Sequence, residues 1–244
     1  MTQPTASTQT GGTFKGVIFD FNGVLFWDSH LQERAWRELS AEVRGTPFTD
    51  EEMRLHVHGR INAYTLSYLL GRTLTPVEEQ SLTQRKEGAY RRLCLVDREA
   101  FRLSPGAQEL LESLRRRGIP RTIATSSPRV NLDFFIEHLS LGRWFNSADI
   151  LYDDGTFPGK PAPDIYLKAA ARLGLAPADC VVVEDAVSGI VAACRAGIGC
   201  IVALGPVERH AELLALEGVT AAIARLDELP ALLVRDTASW GGLS

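Results

Sequence analysis

Acidic and hydroxyl side chains follow three short apolar runs of the sequence, at the point where each run ends. Asp20 follows the first run, the Thr-Ser-Ser segment 125–127 ends the second, and Glu184 and Asp185 end the third. Lys160 lies between the second and third runs, in a loop rich in glycine and proline. Crowded carboxylates repel one another unless a cation lies between them, and an all-oxygen site suits magnesium. A lysine and several hydroxyl groups facing that metal indicate a site for a phosphate group.

Each of these features also has an ordinary structural explanation. Asp20 would cap a helix, and the hydroxyl segment would form a turn before Pro128. The later Glu-Asp pair would begin a helix, and the lysine would be a solvated loop residue. Taken one at a time, the two explanations are evenly matched. Because all four features fall at the same edge of the predicted sheet, a shared site explains them better.

Short apolar runs separated by amphipathic segments predict the scaffold that positions these residues. The runs have the length of strands buried on both faces of a parallel sheet. The segments between them, such as 105–117 and 162–173, have a helical pattern. This alternation predicts an α/β fold with a doubly wound, Rossmann-like parallel sheet, which binds ligands at the carboxyl ends of its strands. The predicted strands are residues 17–19, 122–124, 181–183, 200–204 and 222–223.

One long segment interrupts the alternation. Residues 30–102 contain no convincing strand and are predicted to form helices at 30–43, 50–57, 63–70 and 76–93. We therefore expect an all-helical cap domain, inserted after the first strand and lying above the sheet edge. The predicted division of the chain is a disordered tail at 1–13, an α/β core at 14–29 and 103–235, and the cap at 30–102.

Composition excludes several other classes of protein. The 244 residues carry a net charge of −4 without a strongly basic segment, which argues against nucleic-acid or membrane-surface partners. No apolar run is long enough to cross a membrane, and the polar N-terminal residues do not form a secretory signal. We expect a cytoplasmic protein, either a monomer or a weak dimer, whose partner is a small phosphorylated metabolite. The cysteines lack metal-ligand spacing and are expected to be free thiols: Cys94, Cys180, Cys194 and Cys200.

Four sequence motifs together resemble those of the haloacid dehalogenase superfamily. Residues 17–24, VIFDFNGV, resemble its first motif, and Thr125 matches its second. Lys160, within GKPAPD, matches the third motif, and the acidic pair 184–185 followed by SGI matches the fourth. The motifs occur in the family's order and spacing. The resemblance is to the branch of β-phosphoglucomutase-like and phosphoglycolate-phosphatase-like hydrolases, and the helical segment resembles their cap.

The resemblance implies a reaction and a role for each core residue. Asp20 would attack phosphorus and form an aspartyl-phosphate. Asp20, Asp185 and the backbone carbonyl of Asn22 would hold Mg²⁺, with support from Glu184. Lys160 would neutralise charge between Asp20 and the phosphate, since a carboxylate attacks a phosphate only once the negative charge is compensated. The residues expected to bind the phosphate or the rest of the substrate are Thr125, Ser126, Ser127, Lys160, Gly59, Arg60 and Asn62.

The sequence departs from the resemblance at three positions. Asn22 stands where most phosphatases of the family have a second aspartate, the general acid and base, and an amide cannot transfer a proton at neutral pH. Gln32 stands where the mutase-like members have a cap histidine. Asn62 stands where those members have a phosphate-binding arginine, although Arg60 is nearby. Together these departures argue against a phosphoglucomutase-like phosphotransferase.

Three alternatives to a phosphatase follow from these departures. Asn22 is compatible with a catalytically impaired family member that binds phosphometabolites or a protein. Dehalogenases also lack the second aspartate, but the Glu184-Asp185 pair argues for a metal that they do not use. Phosphonatases require a cap lysine, and the only lysine of this cap, Lys86, is predicted to lie on a charged helical face.

Overall fold

The computed structural model describes residues 14–97 and 101–233. The predicted tail at 1–13, residues 98–100 of the predicted cap and residues 234–235 of the predicted core lie outside the described residues. In the described part of the chain, no helix is both long and apolar enough to cross a membrane.

A single parallel sheet of six strands forms the centre of the molecule, in the order β3-β2-β1-β4-β5-β6. The central strands β1 and β4 are buried over their whole length, as expected for apolar strands covered on both faces. Because all the strands run in the same direction, their carboxyl ends meet at one edge of the sheet. The strands are β1 (Gly16–Phe19), β2 (Arg121–Pro128), β3 (Leu151–Asp153), β4 (Cys180–Glu184), β5 (Cys200–Leu204) and β6 (Val219–Ile223).

Helices cover both faces of this sheet. Successive residues of β1 point to opposite faces, so that Val17 and Phe19 pack in one hydrophobic cluster and Ile18 in another. Removal of these side chains from water is the main favourable contribution to folding of the core. The helices of the core are α5 (Ala107–Arg116), α6 (Arg129–His138), α7 (Asp164–Arg172), α8 (Val187–Arg195), α9 (His210–Leu214) and α10 (Leu229–Leu233). The helices numbered before α5 belong to the insertion described next.

A helical insertion, defined here as residues 29–96, separates β1 from the rest of the core. Two of its helices begin with capping boxes, in which Thr49 pairs with Glu52 and Thr75 pairs with Glu78. The insertion also has a hydrophobic cluster of its own around Phe48. Its elements are α1 (Ser29–Arg44), the single turn α2 (Asp50–Glu52) with a π-helical turn after it (Met53–Val57), α3 (Asn62–Leu70) and α4 (Pro76–Val96).

The predicted fold class is confirmed, and all five predicted strands are present. The edge strand β3 was not predicted, and neither were the bounds of helices α6, α8, α9 and α10. Leu151–Asp153 is only three residues long and half-buried, so the sequence has no apolar run to mark it. The helix predicted to start at Pro105 starts at Ala107, because Gly106 adopts a positive φ of 82° before it.

Candidate active site

Asp20 lies at the carboxyl end of β1, at the centre of the sheet edge. Its backbone N–H donates to the carbonyl of Val183 at 3.0 Å, so the pairing of β1 with β4 fixes its position. The side chain is 9% exposed. The Lys160 ammonium donates to Asp20 Oδ1 at 2.6 Å. The carboxylate is therefore held in one orientation at the centre of the sheet edge.

Lys160 reaches this edge from the loop between β3 and α7. Its buried ammonium also donates to Glu184 Oε1 at 2.6 Å and to the carbonyl of Ala124 at 3.1 Å. Burial lowers the pKa of Lys160, but Asp20 and Glu184 outweigh this effect and hold the pKa above its usual value. Lys160 is therefore a permanent positive charge beside the Asp20 carboxylate.

Glu184 and Asp185 follow β4 and have different environments. Glu184 is fully buried and accepts hydrogen bonds from Lys160, from the Tyr166 hydroxyl at 2.5 Å and from the backbone N–H groups of Asp185 and Ala186. With its oxygens occupied in this way, Glu184 fixes the position of Lys160 and of the backbone that follows β4. The Asp185 carboxylate lines the cavity in front of Asp20.

The three carboxylates form an acidic cluster that suits a cation. Asp20, Glu184 and Asp185 each offer an oxygen, and these oxygens lie within 4.8 Å of one another. Burial raises the pKa of Asp20 to about 7 against the lowering effect of Lys160. Burial, together with Glu184 and Asp20, also raises the pKa of Asp185 well above its usual value. One lysine does not balance three acids, so the donor set fits a hard divalent cation such as Mg²⁺.

Gly23 allows the loop after β1 to approach this acidic cluster. It adopts a positive φ of 84°, and a Cβ there would lie 2.1 Å from Asp185 Oδ2. Any larger residue would therefore displace the Asp185 carboxylate as well as straining the backbone. This contact explains why the glycine of the VIFDFNGV segment is needed next to Asn22.

The Asn22 side chain lies in the cavity and is fixed by hydrogen bonds from two sides. Its Nδ2 donates to Asp28 Oδ2 at 2.7 Å and, more weakly, to the Tyr90 hydroxyl at 3.5 Å. Its Oδ1 accepts from the hydroxyls of Ser127 at 2.8 Å and Thr125 at 3.4 Å. This arrangement uses both the donor and the acceptor of an amide, and it contains no proton that Asn22 itself can transfer at neutral pH.

The predicted hydroxyl segment lies at the end of β2 and lines the cavity. The Thr125 hydroxyl accepts from the backbone N–H of Ser127 at 3.1 Å, so it holds the last residues of β2 in place as well as lining the cavity. The Ser126 hydroxyl donates to the carbonyl of Gly59 at 3.0 Å, across the boundary with the helical insertion. The Ser127 hydroxyl is already engaged, because it donates to Asn22 Oδ1. A phosphate bound here would have to compete with Asn22 for the two hydroxyl donors.

The loop that precedes α3 brings the insertion onto this edge. Gly59 has a positive φ of 69°, and a Cβ there would lie 2.3 Å from the Ser188 hydroxyl, so the close contact requires glycine. The Arg60 guanidinium lies over the Tyr64 ring at 4.7 Å and donates to the carbonyl of Lys160 at 3.2 Å. Asn62 is buried and donates to Glu87 Oε1 at 2.7 Å. All three predicted insertion residues therefore line the same cavity as Asp20.

The prediction for Lys86 is wrong. It lies not on a charged outer face of α4 but inside, 3% exposed, where it lines the cavity together with Glu87. Its ammonium contacts Glu87 Oε1 at 3.1 Å. An ammonium held by a carboxylate has no lone pair with which to attack a carbonyl, which argues against Schiff-base chemistry at this lysine.

Other polar residues around the cavity were not predicted from the sequence. Asp28 is fully buried, and burial raises the pKa of its carboxyl above the usual value. The hydroxyl of Tyr90 donates to it at 2.5 Å. Asp28 precedes the insertion and Ser29 begins it, and their polar character directly after the apolar residues 24–27 was the signal available in the sequence.

These residues enclose a small cavity, with a volume of about 80 Å³. The lining includes Asp20 and Asp185 of the core and Lys86 and Glu87 of the insertion. Ligand pockets usually have volumes of about 300–1,000 Å³. Contact between the insertion and the core therefore leaves a cavity smaller than most ligand pockets.

The fold and the site together define a hydrolase class, and comparison with known proteins agrees. A family model of haloacid dehalogenase-like hydrolases matches residues 14–197, well over half of the chain. The chain belongs to this family. The prediction made from the four motifs is thereby confirmed.

Several named proteins are similar in sequence over most of the chain. A "phosphorylated carbohydrates phosphatase" from Thermotoga maritima is 32% identical over 185 residues, which are 75% of this chain and 82% of the relative. Hexitol phosphatase A from Escherichia coli is 32% identical over 197 residues, which are 80% of this chain and 85% of the relative. β-Phosphoglucomutase from Bacillus subtilis is 33% identical over 190 residues, which are 75% of this chain and 80% of the relative.

A solved structure shows the same architecture. It is a family IA, variant 3 haloacid dehalogenase hydrolase from Entamoeba histolytica. The two chains are 36% identical and superpose with a TM-score of 0.77, covering 90% of this chain and 99% of the other. The similarity therefore extends over both the sheet and the helical insertion.

Proposed function

We propose that this protein is a magnesium-dependent phosphatase that hydrolyses small phosphorylated metabolites through an aspartyl-phosphate on Asp20. One observation carries this proposal. A buried, oriented carboxylate lies 2.6 Å from a lysine, within an acidic cluster that needs a cation, at the end of a closed cavity. That is the arrangement required by a weak nucleophile attacking an anionic phosphate.

The chain's own residues hold the reacting groups in place. Lys160 orients the Asp20 carboxylate through Oδ1 and supplies a positive charge beside the phosphoryl oxygens. Thr125 and Ser127 turn their hydroxyls from Asn22 toward the phosphoryl oxygens when the substrate binds. Closure of the insertion excludes water during the first step, so that Asp20 rather than water attacks phosphorus. The P–O bond of the ester breaks, and the leaving oxygen takes its proton from solvent and departs as the alcohol. Water then enters and attacks the aspartyl-phosphate, which releases inorganic phosphate and restores the free Asp20 carboxylate.

The magnesium site is proposed at the acidic cluster. Asp20, Asp185 and the backbone carbonyl of Asn22 would hold the ion, and Glu184 would support them through its contacts with Lys160 and the backbone. When bound, the ion compensates the charge of the carboxylates and of the phosphoryl group. Burial, and after it the neighbouring carboxylates, raise the pKa values of Asp20 and Asp185, and a bound cation would favour the charged form of both groups, which supports this assignment.

Phosphorylated carbohydrates or polyols are the proposed substrate class. The names of the Thermotoga and Escherichia relatives support it, as does the polar lining contributed by Gln32, Asn62 and Asn22. A phosphoglucomutase-like transferase is less well supported despite the Bacillus relative, since Asn22 supplies no acid or base for transfer to a sugar hydroxyl.

A catalytically impaired binding protein is the second candidate. The observation that favours it is the Asn22 amide, which is hydrogen-bonded to Asp28, Ser127 and Thr125 and offers no proton. Such a protein would bind phosphometabolites at the same site with little turnover. A turnover measurement separates the two candidates directly.

Phosphatase activity is expected to require a divalent cation. A panel of phosphorylated metabolites and an aryl phosphate is assayed with Mg²⁺ and with excess chelator, and Asp185→Ala is expected to abolish hydrolysis. Because protonated Asp20 is neutral and does not bind a cation, Mg²⁺ affinity should weaken as the pH falls below about 7, by roughly tenfold per unit for one proton. Full activity in chelator would show that the acidic cluster has been misinterpreted.

The helical insertion is proposed to act as a mobile cap. Its contacts with the core include the hydrogen bonds from Ser126 to Gly59, from Ser188 to His58 and from Arg60 to Lys160. The connecting segments near 26–29 and 103–105 are proposed to act as hinges. Because the closed cavity is too small for a sugar phosphate, the ligand-free protein is expected to open in solution.

Small-angle scattering tests this movement. Adding Mg²⁺ with a phosphate analogue is expected to reduce the radius of gyration, and Mg²⁺ alone serves as the control. Scattering curves that coincide in all three conditions would rule out closure as part of the reaction.

A further inference from the structure

A buried ion pair lies in the insertion-side wall of the cavity. Lys86 and Glu87 are neighbours on α4, are 3% and 1% exposed, and both line the cavity that contains Asp20. Lys86 also donates to Gln32 Oε1 at 2.5 Å, and its ammonium lies 4.9 Å from the centre of the Trp36 ring. A buried cation therefore lies in this wall, joined to Asn22 through Gln32 and Asp28, and it is already paired.

Amide side chains complete the surroundings of this pair. Glu87 Oε1 accepts from Asn62 Nδ2 at 2.7 Å, and Glu87 Oε2 accepts from Asn131 Nδ2 at 2.5 Å. Asn131 belongs to the core helix α6, and its Oδ1 accepts from Arg91 at 2.8 Å. Both oxygens of Glu87 are thus held in place. Of the four residues that face the cavity here, Lys86 and Glu87 carry one charge of each sign, and Gln32 and Asn62 are neutral amides.

The two parts of the cavity therefore differ in charge. Asp20, Glu184 and Asp185 outnumber Lys160, so the core end needs a cation before it accepts a phosphate. In the insertion-side part, Lys86 and Glu87 compensate each other, and the buried Asp28 carboxyl, which accepts from Gln32 Nε2 at 3.2 Å, adds no positive charge. Arg60 is the remaining arginine or lysine among the described residues that line the cavity, and its hydrogen bonds are to the carbonyls of Lys160 and Leu55.

We propose that the Lys86–Glu87 pair, with Gln32 and Asn62, forms a subsite without excess positive charge that binds the hydroxyl groups of a phosphate monoester and rejects a second phosphate. The substrate class is then a monophosphorylated polyhydroxy compound rather than a bisphosphate. This inference rests on the proposed function, because it assumes that the first phosphate lies at Asp20. It adds a selectivity that the acidic cluster does not provide.

The physical reason is the presence of the Glu87 carboxylate. An ammonium, a carboxylate and two amides offer both donors and acceptors, which match the hydroxyl groups of a polyol. A second phosphate carries a charge of about −1.5 to −2 at neutral pH and would meet Glu87 with only Lys86 to compensate both. A buried carboxylate left without a compensating cation when a bisphosphate binds would weaken binding of the bisphosphate relative to the monophosphate.

Affinity measurements on the Asp20→Asn background test the subsite without depending on turnover. The probes are a hexitol monophosphate and a hexose bisphosphate, each titrated by calorimetry with Mg²⁺ present. The monophosphate is expected to bind at least about tenfold more tightly than the bisphosphate. Adding Glu87→Gln, which keeps the shape and releases the Lys86 charge, should shift this ratio toward the bisphosphate by about 10–100-fold.

Glu79→Gln is the matched control, because it removes the same charge from the same helix at a position outside the cavity lining. If Glu87→Gln does not fold, Lys86→Gln is used instead and should increase the preference for the monophosphate. Equal binding of both probes, or a ratio that is the same in the Glu87→Gln and Glu79→Gln proteins, would overturn the inference. Aryl phosphate hydrolysis by the parent protein tests the proposed function separately, since that substrate does not need the subsite.

Discussion

Replacement of Asp20 by asparagine is expected to reduce phosphate-ester hydrolysis on the order of 10⁵-fold or more while the protein remains folded. An amide is not a nucleophile toward phosphorus, so the variant loses both steps of the covalent route. The fold should persist because the asparagine keeps the shape of the aspartate side chain, and Lys160 retains Glu184 at 2.6 Å and the carbonyl of Ala124. The measurements are steady-state hydrolysis of an aryl phosphate and circular dichroism.

Asp153→Asn is the matched control for this variant. Asp153 ends the edge strand β3 at the same side of the sheet, but its carboxylate accepts from the backbone N–H of Gly155 and does not line the cavity. Its removal should leave turnover nearly unchanged. If the Asp20→Asn protein kept parental activity, the nucleophile would have been misassigned.

The second large effect is expected at Asn22. Conversion of Asn22 to aspartate should accelerate the hydrolysis of alkyl phosphates by about 10²-fold or more, since general acid and base catalysis typically contributes about 10²–10⁴-fold. The new carboxyl would lie where Asn22 Nδ2 now contacts Asp28 Oδ2 at 2.7 Å. Two carboxyl groups at this distance share a proton, so the new group has a proton to donate at neutral pH.

The choice of substrate makes this prediction specific. An aryl leaving group departs without a proton, whereas a sugar alkoxide does not, so the parent protein should prefer aryl or acyl phosphates and turn over slowly. The gain in Asn22→Asp should be largest for alkyl phosphates, and its phosphoenzyme should be shorter-lived than that of the parent. Asn22→Ala, which removes the amide without adding an acid, should give no gain. Rapid alkyl-phosphate hydrolysis by the parent, with no gain in Asn22→Asp, would show that another group supplies the proton.

Most of the core fold could be predicted from the sequence because its strands are continuous apolar runs. Residues such as 181–183 are buried on both faces of the sheet, which leaves a strong local pattern. The polar residues after these runs could be assigned to one edge because parallel strands end on the same side. The edge strand β3 has neither the length nor the burial that makes such a pattern.

The insertion-side wall of the cavity could not be predicted in the same way. Lys86 and Glu87 stand in a polar helix whose sequence resembles a solvent-exposed surface, and their burial depends on contacts with Gln32 of α1 and Asn131 of α6. These partners are 54 and 44 residues away in the sequence. A buried ion pair of this kind becomes recognisable only once the packing of helices is known.

The hydrogen-bond partners of Asn22 also could not be predicted from the sequence. The sequence showed that the usual second acid is missing, but not that Asp28 and Tyr90 surround the amide that replaces it. Asp28 is only six residues from Asn22, whereas Tyr90 is brought in by α4 from 68 residues away. Both are buried, so the neighbourhood of Asn22 depends on how the insertion packs on the core.

Detection of the phosphoenzyme tests the central claim most directly. The protein is mixed with Mg²⁺ and an aryl phosphate, quenched in acid within the first turnovers, digested, and analysed by mass spectrometry. We expect one phosphoryl group on the peptide that contains Asp20, its absence in the Asp20→Asn protein and in chelator, and slower decay in the parent than in Asn22→Asp. Hydrolysis of the substrate without any phosphoryl group on Asp20, or with the group on another residue, would contradict the account.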